Sequence, residues 1–391
     1  MKLQEVYSLF NVEPIKAKGC KVYTADGTEY LDFYGGHAVI SIGHSHPYFV
    51  SQMKRQIDKM IFYSNSVKNQ LQVQLADHLG KLSGCVDYEL FLCNSGAEAV
   101  ENALKLASFK TERNKVLSIK NCFHGRTSAA VNVTDNQKIK APINTRFETT
   151  FIEMNDSEAL KKSLSTHTYA AVIIECIQGV GGLDEATDDF LKEIELICIQ
   201  TNTTFIADEI QSGFCRSGDF FAFQKSGVQP DIITIAKGMG NGFPIAGVMT
   251  RKGFIDSWPG MLGTTFGGNH LACTACNAVL EVIESEDILT NVNTIGQYLK
   301  DALLSIDSVI EVKGRGLMLG AKFAYPVAAL RASLVYENKL FTGSAKDPNL
   351  LRILPPLNIS KDDVDCFIDK LRAGIIKHHQ ALVTSYSDLQ N

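Results

Sequence analysis

The 391-residue sequence predicts an α/β fold, a mostly parallel sheet covered by helices on both faces, with a smaller α+β unit after it. Two patterns and the chain length predict this. Between about residues 46 and 275, short apolar runs alternate with helical stretches, as in βαβ units. Beyond Asn277 the pattern is mainly helical, with one strand-like interruption. A chain of this length also exceeds what a single core accommodates, so a large and a small domain are expected.

The first 45 residues read as an arm. Lys21-Val22-Tyr23-Thr24 and Tyr30-Leu31-Asp32-Phe33 flank the turn signal Ala25-Asp26-Gly27-Thr28, which predicts a hairpin. Residues 46–275 form the expected large domain. Its strands are read at Glu89 to Cys93, Val116 to Ile119, Ala170 to Cys176, Thr204 to Ala207 and Asp231 to Ala236. Residues 276–391 form the expected small domain, which the arm is expected to join. It contains helices at Ala278 to Ser285 and Ile295 to Leu304, a strand at Ile310 to Val312, the turn Gly314-Arg315-Gly316, and a helix from near Lys361.

Composition narrows the class of function. Apolar residues make up 45% and charged residues 21%, the balance of an ordinary globular protein and not of a disordered one. A net charge of -5 and the absence of a basic run remove the electrostatic case for nucleic acid. Ten cysteines occur singly, several in apolar stretches such as Ile197-Cys198-Ile199, as expected in a reducing compartment. Cys273 and Cys276 have CxxC spacing, but no second pair or histidine cluster follows, so they read as helix packing and no metal is expected. No apolar run reaches the roughly 18 residues of a membrane span, and a cytoplasmic location is expected.

Two strand ends carry the most chemical information. Phe205-Ile206-Ala207-Asp208 and Ile232-Ile233-Thr234-Ile235-Ala236-Lys237 each deliver a charged group at the carboxyl edge, where such sheets build their sites. A carboxylate and an amine facing one ligand suit pyridoxal 5′-phosphate (PLP). The amine takes its aldehyde, and the acid keeps its pyridine nitrogen protonated so that the ring acts as an electron sink. Solvated strand ends are the plainer reading of the same two residues.

A phosphate site is offered where Leu90 to Cys93 runs into Asn94-Ser95-Gly96-Ala97-Glu98 and a helix begins. Amides at a helix start attract anions, and Gly96 lets the backbone approach closely. Ser95 and Glu98 also read as an S-x-x-E capping box, and both can hold at once. Further on, Phe123-His124-Gly125-Arg126 offers an aromatic face for a planar ring and a guanidinium suited to a carboxylate, or else a surface turn.

Together these segments resemble the class III (ω-amino acid) aminotransferases of PLP fold type I, from about Phe10 to Ile376. The resemblance is carried by Asp32-Phe33 to Gly43-His44, Asn94 to Ala99, Phe123 to Arg126, Glu175 to Gly182, Ala207 to Gln211, Lys237-Gly238, Thr264 to Asn269 and Leu351-Arg352 to Pro355-Pro356. Within the family the chain is most similar to the acetylornithine and ornithine aminotransferases.

The resemblance implies a seven-stranded type of sheet and a set of roles. Lys237 holds PLP as a Schiff base and shuttles the proton, and Asp208 pairs with the pyridine nitrogen. Gln211 approaches the ring hydroxyl, Phe123 stacks on the ring, and Ser95, Gly96 and Ala97 hold the phosphate. Thr265 reaches the phosphate from the other subunit of a homodimer with shared active sites, with Thr264 near the substrate. Arg126 binds a substrate carboxylate, and Glu175, His37 and Arg352 line the substrate pocket.

Two departures from the family pattern stand out. Val180 in Gln178-Gly179-Val180 replaces the glutamate that usually masks Arg352, and His37 stands where a tyrosine or aliphatic residue is usual. They raise the expectation of an acyl group that carries its own carboxylate, as succinyl does; His37 also reads as an ordinary wall residue.

The activity implied is transfer of the 5-amino group of N2-acetyl- or N2-succinylornithine to 2-oxoglutarate, giving the acylglutamate semialdehyde and L-glutamate, in arginine biosynthesis. The alternatives are an ornithine or other ω-amino acid aminotransferase, a glutamate-semialdehyde aminomutase, and a non-catalytic binding protein of the same fold.

Overall fold

The computed structural model describes residues 1–388. Its centre is a seven-stranded sheet in the spatial order Tyr88–Cys93, Ala246–Arg251, Ile232–Ile235, Thr204–Asp208, Tyr169–Ile174, Lys115–Ile119, Thr149–Ile152. Only Ala246–Arg251 runs antiparallel to its neighbours. The strand Tyr169–Ile174 is buried at every position, as expected of a strand covered on both faces. The expected run to Cys176 stops at Ile174, and the run from Asp231 to Ala236 narrows to Ile232–Ile235, because the Asp231 carboxylate accepts the Phe205 amide at 2.9 Å outside the ladder.

Two strands of this sheet were not read from the sequence, Thr149–Ile152 and Ala246–Arg251. The second carries Ala246 and Gly247 where β-branched residues would signal a strand. Gly247 is required there: a Cβ would lie 2.9 Å from Leu90 Cδ1 and 3.1 Å from the Phe91 carbonyl.

The predicted hairpin is formed by Lys21–Thr24 and Glu29–Asp32, with Asp26 Oδ1 accepting the Thr28 amide at 3.1 Å and Gly27 at φ 84°. Pro14–Lys18 adds to one side of it, and Leu340–Phe341, from far along the chain, pairs parallel with Glu29–Asp32 on the other. A third sheet comprises Val309–Arg315, Met318–Phe323, Leu350–Ile353 and Gly343–Ser344, all antiparallel. Helices His270–Ser285, Ile288–Leu304 and the one starting at Lys361 occupy the stretches read as helical. Cys273 and Cys276 are both buried on the first of these, as packing residues are.

The turn at Gly314-Arg315-Gly316 plugs the antiparallel sheet onto the central one. Arg315 donates to Glu185 Oε1 at 2.7 Å, Asp219 Oδ2 at 2.5 Å and the carbonyls of Ser217 and Ala222 at 2.7 Å. Gly316, at φ 59°, lies so close that a Cβ would meet the Ser217 carbonyl carbon at 2.6 Å. Among the described residues, no helix is long and apolar enough to cross a membrane.

Candidate active site

The carboxyl edge of the central sheet surrounds a cavity of about 390 Å³. Thr204–Asp208 ends in Asp208, whose side chain is almost fully buried at 4% exposure. Three donors fix that carboxylate: His124 Nδ1 at 2.6 Å, Thr234 Oγ1 at 3.1 Å and the Ile210 amide at 3.1 Å. The Asp208 carboxylate is an acceptor, so the Nδ1 of His124 carries the hydrogen. Burial by itself disfavours a charged His124 ring, but Cys122 and Asp208 outweigh it and hold its pKa well above the ordinary histidine value.

The next strand, Ile232–Ile235, delivers Lys237 to the same cavity. Its φ of 45° lies in the left-handed region, an unfavourable conformation for a side-chain-bearing residue. Such strain concentrates at functional positions. Burial lowers the amine's pKa, Arg352 lowers it further, and Asp208 and Glu175 oppose the shift. A lowered amine pKa is what condensation with an aldehyde requires, since only the neutral amine is a nucleophile.

Ser95, Gly96 and Ala97 line the same cavity. Gly96–Thr111 is the helix, and its first amides have no acceptor within it. Ser95 Oγ accepts the Glu98 amide at 3.2 Å, while Glu98 Oε2 reaches back to the Asn94 amide at 3.0 Å. The cap and the anion-binding helix start therefore coexist. A Cβ on Gly96 would stand 2.9 Å from Ile210 Cδ1, so the close approach is built into the packing.

Phe123, Arg126, Glu175 and Gln211 complete the wall. Both oxygens of Glu175 accept backbone amides, Phe123 and Gly179 at 2.8 Å each. Burial raises its pKa, with Asp208 adding and His124 opposing. Glu175 thereby clasps the loop that presents Phe123. Arg126 is exposed and makes no ion pair among the described residues.

A larger cavity of about 980 Å³ adjoins the first and shares Phe123, Arg126, Gln211 and Lys237 with it. His37 and Arg352 line it, as does Val180. Arg352 is buried and donates to the carbonyls of Ser344 at 2.5 Å and Gly179 at 2.8 Å, and to Gln211 Oε1 at 3.5 Å. His37 touches the Tyr34 hydroxyl through Nδ1. Burial, then Arg352 and Lys237, push its pKa down to about 4, so its ring is neutral near pH 7. Gly35, Gly36, His37 and Ala38 all have φ between 55° and 69°, a left-handed turn that pushes His37 toward the site.

Of the sequence-predicted residues, Ser95, Gly96, Ala97, Phe123, Arg126, Glu175, Asp208, Gln211 and Lys237 meet at the first cavity, and His37 and Arg352 at the second. Thr264 and Thr265 line neither within one chain. Thr264 Oγ1 is instead tied to Asn94 Nδ2 at 3.1 Å, beside Ser95. His124 was not singled out from the sequence. Its only signal was its position next to Phe123 at a strand end, and its partner Asp208 is 84 residues away.

An acid fixed by three donors, an amine of lowered pKa, an aromatic face and a helix start closed to a Cβ define a PLP-dependent transferase of fold type I. The chain belongs to the class III aminotransferases, whose family model, Aminotransferase class-III, matches residues 4–375. These enzymes use PLP. The chain is 38% identical over 387 residues to the acetylornithine aminotransferase of Bacillus subtilis (strain 168), covering 97% of this chain and 99% of that one. It superposes on the ornithine aminotransferase of Toxoplasma gondii ME49 with a TM-score of 0.90 at 28% identity, covering 97% and 93% of the two chains. The acetylornithine aminotransferase of Elizabethkingia anophelis gives a TM-score of 0.82, also at 28% identity, with 96% of each chain covered.

Proposed function

We propose that this aminotransferase moves the 5-amino group of an N2-acyl-L-ornithine to 2-oxoglutarate, yielding the acylglutamate 5-semialdehyde and L-glutamate. The observation that carries this reading is the 38% identity to an acetylornithine aminotransferase along almost the whole of both chains. The pathway this serves is arginine biosynthesis, in the cytoplasm.

Bound PLP supplies an electron sink for the carbon that bears the amino group. Lys237 would hold the cofactor through its aldehyde, and its amine would be placed to move a proton at the substrate carbon. Asp208, fixed by His124 and Thr234, is the acid that would keep a pyridine nitrogen protonated. Phe123, Gln211, Ser95, Gly96 and Ala97, which line the same cavity, would hold the cofactor, with the helix start offering its amides to the phosphate. Arg126, at both cavities and without an ion pair among the described residues, takes a substrate carboxylate, and Arg352, in the larger cavity, takes the second carboxylate of 2-oxoglutarate.

Thr264 and Thr265 act from a second copy of the chain in a homodimer. Support for this comes from the exposed apolar side chains of Ile61, Phe62, Tyr63 and Phe266, which cluster beside the Thr264-Thr265 loop: Phe62 and Phe266 lie 5.3 Å apart, and Asn65 Nδ2 donates to the Gly267 carbonyl at 3.0 Å. The proposed division into an arm at 1–45, a large domain at 46–275 and a small one at 276–391 follows the sheets, since all seven central strands fall within 88–251.

The likeness to an ornithine aminotransferase favours a second reading, with free ornithine as donor. A panel of amino donors offered to the purified holoenzyme with 2-oxoglutarate decides. Acylornithines are expected to exceed free ornithine in kcat/KM, and the reverse order rejects the proposal.

A further inference from the structure

The Asp208 carboxylate is backed by buried polar side chains that begin two residues before His124. Cys122 follows the strand Lys115–Ile119, its amide donating to the Ile119 carbonyl at 3.3 Å and its carbonyl accepting the Asp135 amide at 3.2 Å. Its thiol is buried and donates to the Val133 carbonyl at 3.1 Å. Ser118 Oγ lies 3.2 Å from the same sulfur and donates to the same carbonyl at 2.8 Å. The His124 amide donates to Thr134 Oγ1 at 2.9 Å. Thiol and imidazole are thus both fixed against the segment 133–134.

The two nitrogens of the His124 ring are unequally served. Nδ1 donates to Asp208 at 2.6 Å, whereas Nε2 is buried and has no aligned partner among the described residues. A buried nitrogen in that state is costly, and more so in a doubly protonated ring, where Nε2 also carries a hydrogen. Burial works against the protonated ring, yet Cys122 and Asp208 outweigh it by electrostatic attraction and hydrogen bonding. A thiol that spends its hydrogen on a carbonyl still has sulfur lone pairs with which to accept another.

We propose that the Cys122 sulfur accepts the Nε2 hydrogen of His124, so that thiol, imidazolium and the Asp208 carboxylate form one buried chain behind the cofactor's pyridine nitrogen. Cys122 is then a positioning residue, acting on the cofactor only through His124 and Asp208. The last link of that chain rests on the role proposed for Asp208 above. Other charges also bear on it. Glu175 interacts with the ring, and Lys140, which donates to the Asn132 carbonyl at 2.9 Å, interacts with Cys122 and Asp135.

The test reads the imidazole directly, by nitrogen NMR of the holoenzyme labelled with 15N at its nine histidines. The His124 ring is the one whose signals vanish in His124→Asn. Both of its nitrogens are expected to carry hydrogen at pH 7.5. Cys122→Ala is expected to bring the ring's deprotonation down by about one pH unit, as suits the loss of a hydrogen bond to a charged group. The pH dependence of the cofactor's absorption band should move with it, and kcat should fall about threefold with KM for the amino donor little changed. Cys122→Ser keeps an acceptor and is expected to return each reading toward the wild type. A wild-type ring without hydrogen on Nε2 overturns the inference, as does the same ring titration in the wild type and Cys122→Ala. A ring that deprotonates earlier beneath an unmoved cofactor band overturns the role of Asp208 and leaves the contact between Cys122 and His124 standing.

Discussion

His124 Nδ1 stands 2.6 Å from Asp208 Oδ2, and both side chains are buried at the floor of the cavity that Lys237 enters. In so little water the pair interacts strongly, and it leaves the carboxylate one fixed orientation toward a ligand. His124 is therefore a positioning residue for Asp208, not a group that touches substrate.

Replacing His124 tests that role. His124→Leu removes a charge-assisted hydrogen bond of about 1.5–3 kcal/mol, so kcat is expected to fall about 10- to 100-fold. His124→Asn keeps an N–H donor near the Nδ1 position and is expected to recover most of the loss. The absorption band of the bound cofactor and its pH dependence should shift in the leucine variant and return in the asparagine one. Equal damage from both, with an unaltered band, would mean a purely structural role.

Lys237 makes the sharpest chemical prediction. Lys237→Ala is expected to lose at least about 10⁴ of turnover, the upper range for removing a positioned acid–base group, because it loses a covalent anchor as well. Borohydride treatment of the PLP-loaded wild type should fix the cofactor to the peptide containing residue 237, as mass spectrometry reads it. Fixation at any other lysine refutes the assignment.

Asp208, Lys237 and the Gly96 helix start were legible in the sequence for one reason: each sits at the end of a short apolar run whose strand identity is local. Ala246–Arg251 escaped because its small residues answer to a neighbouring strand, a packing demand that periodicity cannot display. His124 escaped because its meaning depends on a contact across 84 residues. The left-handed turn at Gly35 to Ala38 was equally hidden, since two of its four residues are not glycine. That Arg352 has no ion pair among the described residues could be suspected from Val180, but only the fold shows which carbonyls surround it.

His37 gives a pH prediction. Its folded pKa of about 4 lies below its ordinary value of 6.5, so in this window the unfolded chain binds the extra proton. Stability is therefore lost as pH falls from about 6.5 toward about 4. His37→Asn cannot take that proton, and its melting temperature should fall less steeply than that of the wild type over the same range. Parallel melting curves for the two proteins between those pH values would reject the depressed pKa. Activity limbs above pH 6 should be the same in both, because the ring is already neutral there.

Arg216 provides the last prediction, on how the site is held together. It is fully surrounded by protein, and burial pushes its guanidinium down to about 9, with Asp32 opposing the shift. It donates to the carbonyls of Leu317 at 3.1 Å, Ile40 at 3.2 Å and Pro355. Those three carbonyls belong to the turn at Gly316, the segment after His37, and the segment after Arg352, so a single side chain ties together the elements that frame the larger cavity. Arg216→Met keeps the volume but leaves buried acceptors unsatisfied, at about 1–3 kcal/mol each, partly offset because a buried charge is also removed. A net loss of about 2–4 kcal/mol is expected, read as a lower melting temperature of the holoenzyme. KM for 2-oxoglutarate should rise more than kcat falls, since Arg352 and His37 are displaced while Asp208 and Lys237 stay on the central sheet. An unchanged KM in a destabilised variant would confine Arg216 to general stability.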